Sequence, residues 1–99
     1  MIRFMRTAAI APGMRVEALA YAKTLSEYWR TQFGAKLEVL VPIGGNPHRI
    51  GWRTEYESLA DMEAKRARVS ADAKYQEMLR SGSGNFIAGS LNDVIWQTV

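Results

Sequence analysis

The stretch IGWRTEYESLADMEAKRARVSADAKY, residues 50–75, changes its apolar period midway, and that change decides the fold. From Ile50 to Glu57 the side chains alternate. Trp52, Thr54 and Tyr56 share one face, while Arg53, Glu55 and Glu57 share the other. A period of two marks a half-buried strand. From Ser58 the period lengthens to that of a helix. Ser58 with Asp61 three residues later resembles a capping box in which Asp replaces the usual Glu. The helix that begins there is expected to carry Leu59, Met62 and Val69 inward. Asp61 with Lys65 and Glu63 with Arg66 are spaced for ion pairs on its wet side. Ser70, followed by Ala71 and Asp72, reads as a second N-cap. A bend is expected there, then a short helix to about Arg80 carrying Tyr75, Met78 and Leu79, ended by Ser81, Gly82, Ser83 and Gly84.

Toward the N-terminus, Gly44, Gly45, Asn46 and Pro47 form a loop, and Leu37 to Ile43 alternates as another strand. Two strands joined in this way predict an antiparallel hairpin. Upstream of them, Met14, Ala18, Ala22, Leu25, Trp29 and Phe33 draw one apolar stripe at helical spacing. Gly34 stands where a left-handed C-cap is expected. Ile2 to Ile10 is the first strand, with Ile2, Phe4, Ala8 and Ile10 on one face and Arg6 interrupting them. Beyond residue 75, Leu91 to Val99 reads as the closing strand, with Val94 and Trp96 on one face and Leu91, Ile95 and Val99 on the other. The order is β-α-β-β-α-β, the second helix being in two pieces. Short connections and right-handed crossovers fold such a chain into a four-stranded antiparallel sheet with helices on one face. The class is α+β, and residues 1–99 form one domain.

Composition narrows the functions open to it. There is no cysteine, and His48 is the only histidine, so neither disulfides nor a metal site is expected and no cofactor is called for. Thirteen Lys and Arg are interleaved with ten Asp and Glu, the pattern of a solvated surface rather than a nucleic-acid footprint. Arg3 and Arg6 break up any signal-peptide core. No run approaches the roughly eighteen apolar residues of a membrane span, so the chain is expected in the cytoplasm, away from membranes. Hydrophobic residues make up 47% of the 99, a large payload for so short a chain. Apolar residues lie on both faces of several strands. The sheet's bare face is therefore expected to pair with a second copy of the chain.

With this order of elements, the chain resembles the dimeric α/β-barrel superfamily, ferredoxin-like protomers whose two sheets form a shared barrel. The stretch from Trp52 through Tyr56 and Ser58 into Asp61 to Arg68, then Ser70 to Tyr75, looks like the NIPSNAP-like branch. It departs from that branch where Ala73 follows Asp72 in place of Pro and where Tyr75 stands near an expected Trp. The resemblance implies a homodimer with a ligand cleft between the sheet and the helices of each protomer. Its members include cofactor-free monooxygenases acting on aromatic polyketides, haem-binding and haem-degrading enzymes, and proteins of unassigned activity, so the fold alone does not name a reaction.

Candidate site residues follow from chemistry. Arg6, on an otherwise apolar face, needs a carboxylate or an anion if that face is buried, and Glu55 or Glu57 is the expected partner. At a sheet edge it would instead reach water. Trp52 and Tyr56, four residues apart on one strand face, could line a cleft for a flat aromatic ligand, with Trp29 and Trp96 completing it. The same four residues would also serve as an ordinary aromatic core. His48, the one residue suited to haem ligation or to proton transfer near neutral pH, lies in the hairpin loop with no paired acid beside it. The two glycine-bearing loops do not open helices after strands as phosphate cradles do. No nucleophile, base and orienting group can be assembled. The reading is a homodimer of unassigned activity that binds a small hydrophobic or aromatic molecule. The alternative is a cofactor-independent monooxygenase in which Trp52, Tyr56 and Arg6 position the substrate.

Overall fold

The computed structural model describes residues 1–99. In chain order the elements are β1 (Ile2–Ala9), α1 (Arg15–Tyr28), β2 (Glu38–Leu40), β3 (Arg49–Tyr56), α2 (Leu59–Ala71), α3 (Ala73–Gly82) and β4 (Asn92–Gln97). They form the expected four-stranded antiparallel sheet, in the order β2-β3-β1-β4. β1 is paired on both sides. It faces β3 from Ile2 opposite Tyr56 to Ala9 opposite Arg49, and β4 from Ile2 opposite Gln97 to Thr7 opposite Asn92. The hairpin partner β2 covers only three residues of the anticipated Leu37–Ile43. Pro42 has no N–H for the ladder, and Val41 and Ile43 are exposed.

α1 buries the stripe read from sequence. Ala18, Ala22, Leu25 and Trp29 are buried, with Met14 and Phe33 packed beside them. Its last turn, Trp29–Phe33, widens into a π-helix and stops at Gly34, whose φ of 60° lets its N–H reach the Trp29 carbonyl. Ser58 caps α2 as its spacing predicts, accepting the Asp61 N–H at 3.1 Å. The Asp61 carboxylate reaches back one residue further than a usual capping box, to the N–H of Glu57 at 3.0 Å. The ion pair of Asp61 with Lys65 forms at 3.4 Å. Arg66 turns away from Glu63 and sets its guanidinium 5.7 Å from the centre of the Phe4 ring.

Two expectations about the broken helix need correction. The break falls at Asp72, not Ser70, because the Asp72 carboxylate is the group that accepts the Tyr75 N–H, at 2.7 Å. Leu59 is exposed, since it opens the first turn before the helix has reached the sheet. Met62 and Tyr75 are buried as anticipated.

The main core lies between the sheet and the two helices α1 and α3, and includes Ala8, Ile10, Leu25, Ile50 and Trp52. A smaller cluster joins Ile2 and Tyr56 to Met62 of α2. The other face of the sheet carries no helix. Met5, Leu40, Val94 and Trp96 lie there beside Arg3, Glu38, Arg53 and Glu55. Arg53 bonds Glu38 at 3.2 Å and also meets Glu55, and Arg3 stands 3.9 Å from Glu55. No helix is long and apolar enough to cross a membrane.

Candidate functional site

Strand pleat and helix spacing together open a cleft of about 600 Å³ between the sheet and the helices. β1 supplies Phe4 and Arg6, and β3 supplies Trp52 and Thr54. α1 and its π-turn supply Tyr21, Leu25 and Trp29, and α3 supplies Tyr75 and Leu79. The segment from Phe86 to Leu91 closes one side. This segment is tethered to the end of β1: the Ile87 N–H bonds the Ala9 carbonyl at 2.9 Å, and Ser90 Oγ accepts the Ala9 N–H at 3.0 Å.

Each aromatic wall has a local cause. Arg6 lies directly opposite Trp52 in the β1–β3 register, so guanidinium and indole stand side by side on the helix-covered face. The Trp52 ring meets Phe86 at 5.5 Å and 70°, and Phe86 meets Tyr21 at 5.8 Å. Tyr21 can lie across α3 only because residue 82 is glycine. A Cβ there would stand 2.0 Å from its ring. Trp29 packs edge-on to Tyr75 at 6.3 Å, and Tyr75 stacks on Tyr28 at 5.8 Å and 11°.

Arg6 does need a carboxylate, but neither expected partner supplies it. Asp93 of β4 takes the guanidinium in a two-point pair, Nε to Oδ1 at 2.7 Å and Nη2 to Oδ2 at 2.9 Å. Glu55 lies on the opposite face, where it meets Arg3 and Arg53, and the N–H of Glu57 belongs to the cap of α2. The bonds from Arg6 hold the Asp93 carboxyl below the usual carboxylate range, against its own burial and with help from the charge of Arg66. Burial pushes the Tyr75 phenol up, with Trp29 and Arg6 pulling the other way, and it pushes Tyr21 up to about 12. Both phenols are therefore protonated near neutral pH.

Of the residues singled out by sequence, Arg6, Trp29 and Trp52 come together in the cleft. Tyr56 does not join them. It is buried with Ile2 and Met62, one step further along β3 under α2. Trp96 is on the wrong face of the sheet for this cleft. It pairs with Arg3, whose side chain points away from the helices, and it is 66% exposed. His48 is exposed in the hairpin loop and lies outside the cleft. Asp93, Tyr21, Tyr75 and Phe86 were not anticipated as site residues. The signal for Asp93 was present, since it shares the strand face of Leu91 and Ile95. Tyr21 sits four residues before Leu25 on the flank of the helical stripe. Phe86 lies in a segment without periodicity and left no such mark.

No protein-family model and no curated protein matches the chain by sequence. Among solved structures the likeness is close in shape. An uncharacterized NIPSNAP domain protein from Burkholderia xenovorans has a TM-score of 0.84 at 21% identity, covering 100% of this chain and 95% of that one. A NIPSNAP family protein from Agrobacterium tumefaciens has a TM-score of 0.82 at 19% identity, over 99% of this chain and 92% of that one. An antibiotic biosynthesis monooxygenase has a TM-score of 0.74 at 15% identity, over 100% of this chain and 99% of that one. The likeness establishes the ferredoxin-like α+β fold that the element order predicted.

Proposed function

We propose that this protein binds a small hydrophobic or aromatic molecule in the cleft between sheet and helices, and does so as a homodimer joined through the helix-free face. The observation that carries the first half is the cleft itself. Its volume suits a small organic ligand, its walls are mainly aromatic and aliphatic, and a few polar groups converge on it. The second half rests on Trp96, a large indole 66% exposed, which shares its face with Val94 on the same strand and with Met5 and Leu40, which meet over Gly51. An apolar patch of this kind on a soluble chain marks a contact surface. The charges among it are of both signs, which allows the face to meet its own two-fold copy.

Native mass spectrometry of gently purified protein tests both halves. The expected result is a peak at twice the chain mass carrying additional mass from a co-purified molecule. A clean monomer would overturn the paired architecture. Failure of the chain to take up any of a panel of aromatic compounds would overturn the cleft as a binding site.

A second reading is favoured by the shared fold with an antibiotic biosynthesis monooxygenase and by Arg6, Trp29 and Trp52 meeting in one cleft. It is a cofactor-independent monooxygenase acting on an aromatic or polyketide-like substrate. Oxygen uptake with quinol-type compounds, lost in Trp52→Phe with folding intact, would favour it over simple binding.

A further inference from the structure

The charged and buried N–H groups left over in the cleft are donors, while its Thr and Ser hydroxyls already have acceptors for their protons. The Thr54 hydroxyl donates to the Lys36 carbonyl at 2.9 Å and the Ser83 hydroxyl to that of Arg80 at 2.9 Å. The one carboxylate at hand, Asp93, is occupied at both oxygens by Arg6. Arg6 engages it through Nε and Nη2 only, which leaves Nη1 with two protons to give. The Trp52 indole N–H is buried in the cleft wall without a hydrogen-bond partner, and that of Trp29 is buried with only the Tyr75 hydroxyl turned toward it. Buried donors without acceptors are costly and uncommon in folded proteins.

Charge points the same way. Arg6 and Arg66 each lie 5.7 Å from the centre of the Phe4 ring, at the end of the cleft nearest β4. Asp93 is within the field of both. Two guanidinium groups facing one carboxylate leave this end of the cleft positive. A neutral apolar ligand would leave that charge and those donors unanswered.

Building on the cleft as the binding site, we propose that its ligand is a flat hydrophobic monoanion. The ring system lies between the aromatic walls, and a carboxylate at its end accepts hydrogen bonds from Arg6 Nη1 and from the Tyr75 hydroxyl. Charge-assisted bonds of this type are about twice as strong as neutral ones, which gives the site its choice between acids and their neutral isosteres.

The test is calorimetric titration of the full chain at neutral pH with 2-naphthoate and, separately, with the neutral isostere 2-naphthamide. Naphthoate should bind at least about tenfold tighter. That preference should shrink toward parity in Tyr75→Phe, which keeps the ring, and in the charge-balanced double variant Arg6→Gln with Asp93→Asn. Equal binding of acid and amide would overturn the anionic ligand while leaving the cleft as a binding site. An acid preference that survives in both variants would overturn the assignment to Arg6 and Tyr75. Binding of neither compound, with the far-UV spectrum intact, would overturn the anionic ligand and the binding cleft together.

Discussion

The Tyr28 hydroxyl donates to Oδ1 of Asp72 at 2.8 Å, and the same oxygen accepts the Tyr75 N–H at 2.7 Å. One carboxylate oxygen thus caps α3 and ties it to α1. These two bonds, the one to Tyr75 foremost, hold the Asp72 carboxyl below its ordinary value. Asp72→Ala should therefore lower stability more than Tyr28→Phe, because it removes the cap as well as the tie. A double-mutant cycle by urea unfolding should show coupling between the two positions, and strict additivity would disprove the tie.

At Gly82, packing leaves no room for a side chain. A methyl group there would stand 2.0 Å from the Tyr21 ring, which is itself wedged against Phe86. Gly82→Ala should destabilise the fold by about 1–3 kcal/mol despite alanine's better helix propensity. Gly84→Ala meets nothing within 4 Å and should be neutral or slightly stabilising. The pair of urea midpoints checks both. Similar midpoints would show that Tyr21 moves aside freely.

The Arg6–Asp93 pair is 36% exposed at each side chain, so solvent screens much of its energy. Asp93→Asn should cost about 1 kcal/mol or less. Because the folded-state carboxyl titrates below 3.8, the pair's contribution is complete above that value and is lost as pH falls through the lowered one. The stability difference between the parent protein and Asp93→Asn should close in strong acid. A difference that stays constant there would show that the two-point pair is not what the substitution removes.

All four tyrosines titrate above the ordinary 10.0, burial being the largest cause in each case, and Tyr21 is pushed up to about 12. The folded chain keeps phenol protons that the unfolded chain releases. Stability should then fall as pH rises past 10.0 and go on falling toward the Tyr21 value. Phenolate absorbance should rise late, with the full amplitude released together if alkali unfolds the protein first. A phenol ionising at its ordinary value in folded protein would contradict the packing around it.

On the helix-free face, Trp96→Ser should leave protomer stability within about 0.5 kcal/mol, as exposed positions usually do. The same substitution should shift the light-scattering mass of the proposed dimer from two chains toward one. A two-chain mass that does not change would place the interface elsewhere, and a one-chain mass for the parent protein would remove the pairing.

The element order and the faces of β1 and β3 were legible because period two and period 3.6 are set by the backbone alone. The buried stripe of α1 and the Gly34 stop follow from the same geometry. Less was legible where one side chain overrides the pattern. Pro42 cut β2 short, and the carboxylate of Asp72 took the capping role that Ser70 was expected to fill. The site was half legible. Arg6 announced its need for a counter-charge, but which acid answers depends on whether β3 or β4 presents one on the same face. Trp96 and Tyr56 were misplaced for a related reason. Aromatic character says that a residue wants cover, and only register and strand order decide which layer provides it.

β1 serves two surfaces with alternate residues of a single strand. Phe4 and Arg6 face the cleft, whereas Arg3 and Met5 face the side without helices. The pleat therefore works as a partition. Substitutions at the even positions can retune what the cleft accepts while the opposite surface keeps its composition, and the odd positions can diverge with equal freedom. A one-residue insertion in β1 would be another matter, since it would exchange the two surfaces at a stroke. Descendants of such a chain are expected to vary by replacement in this strand and to conserve its length.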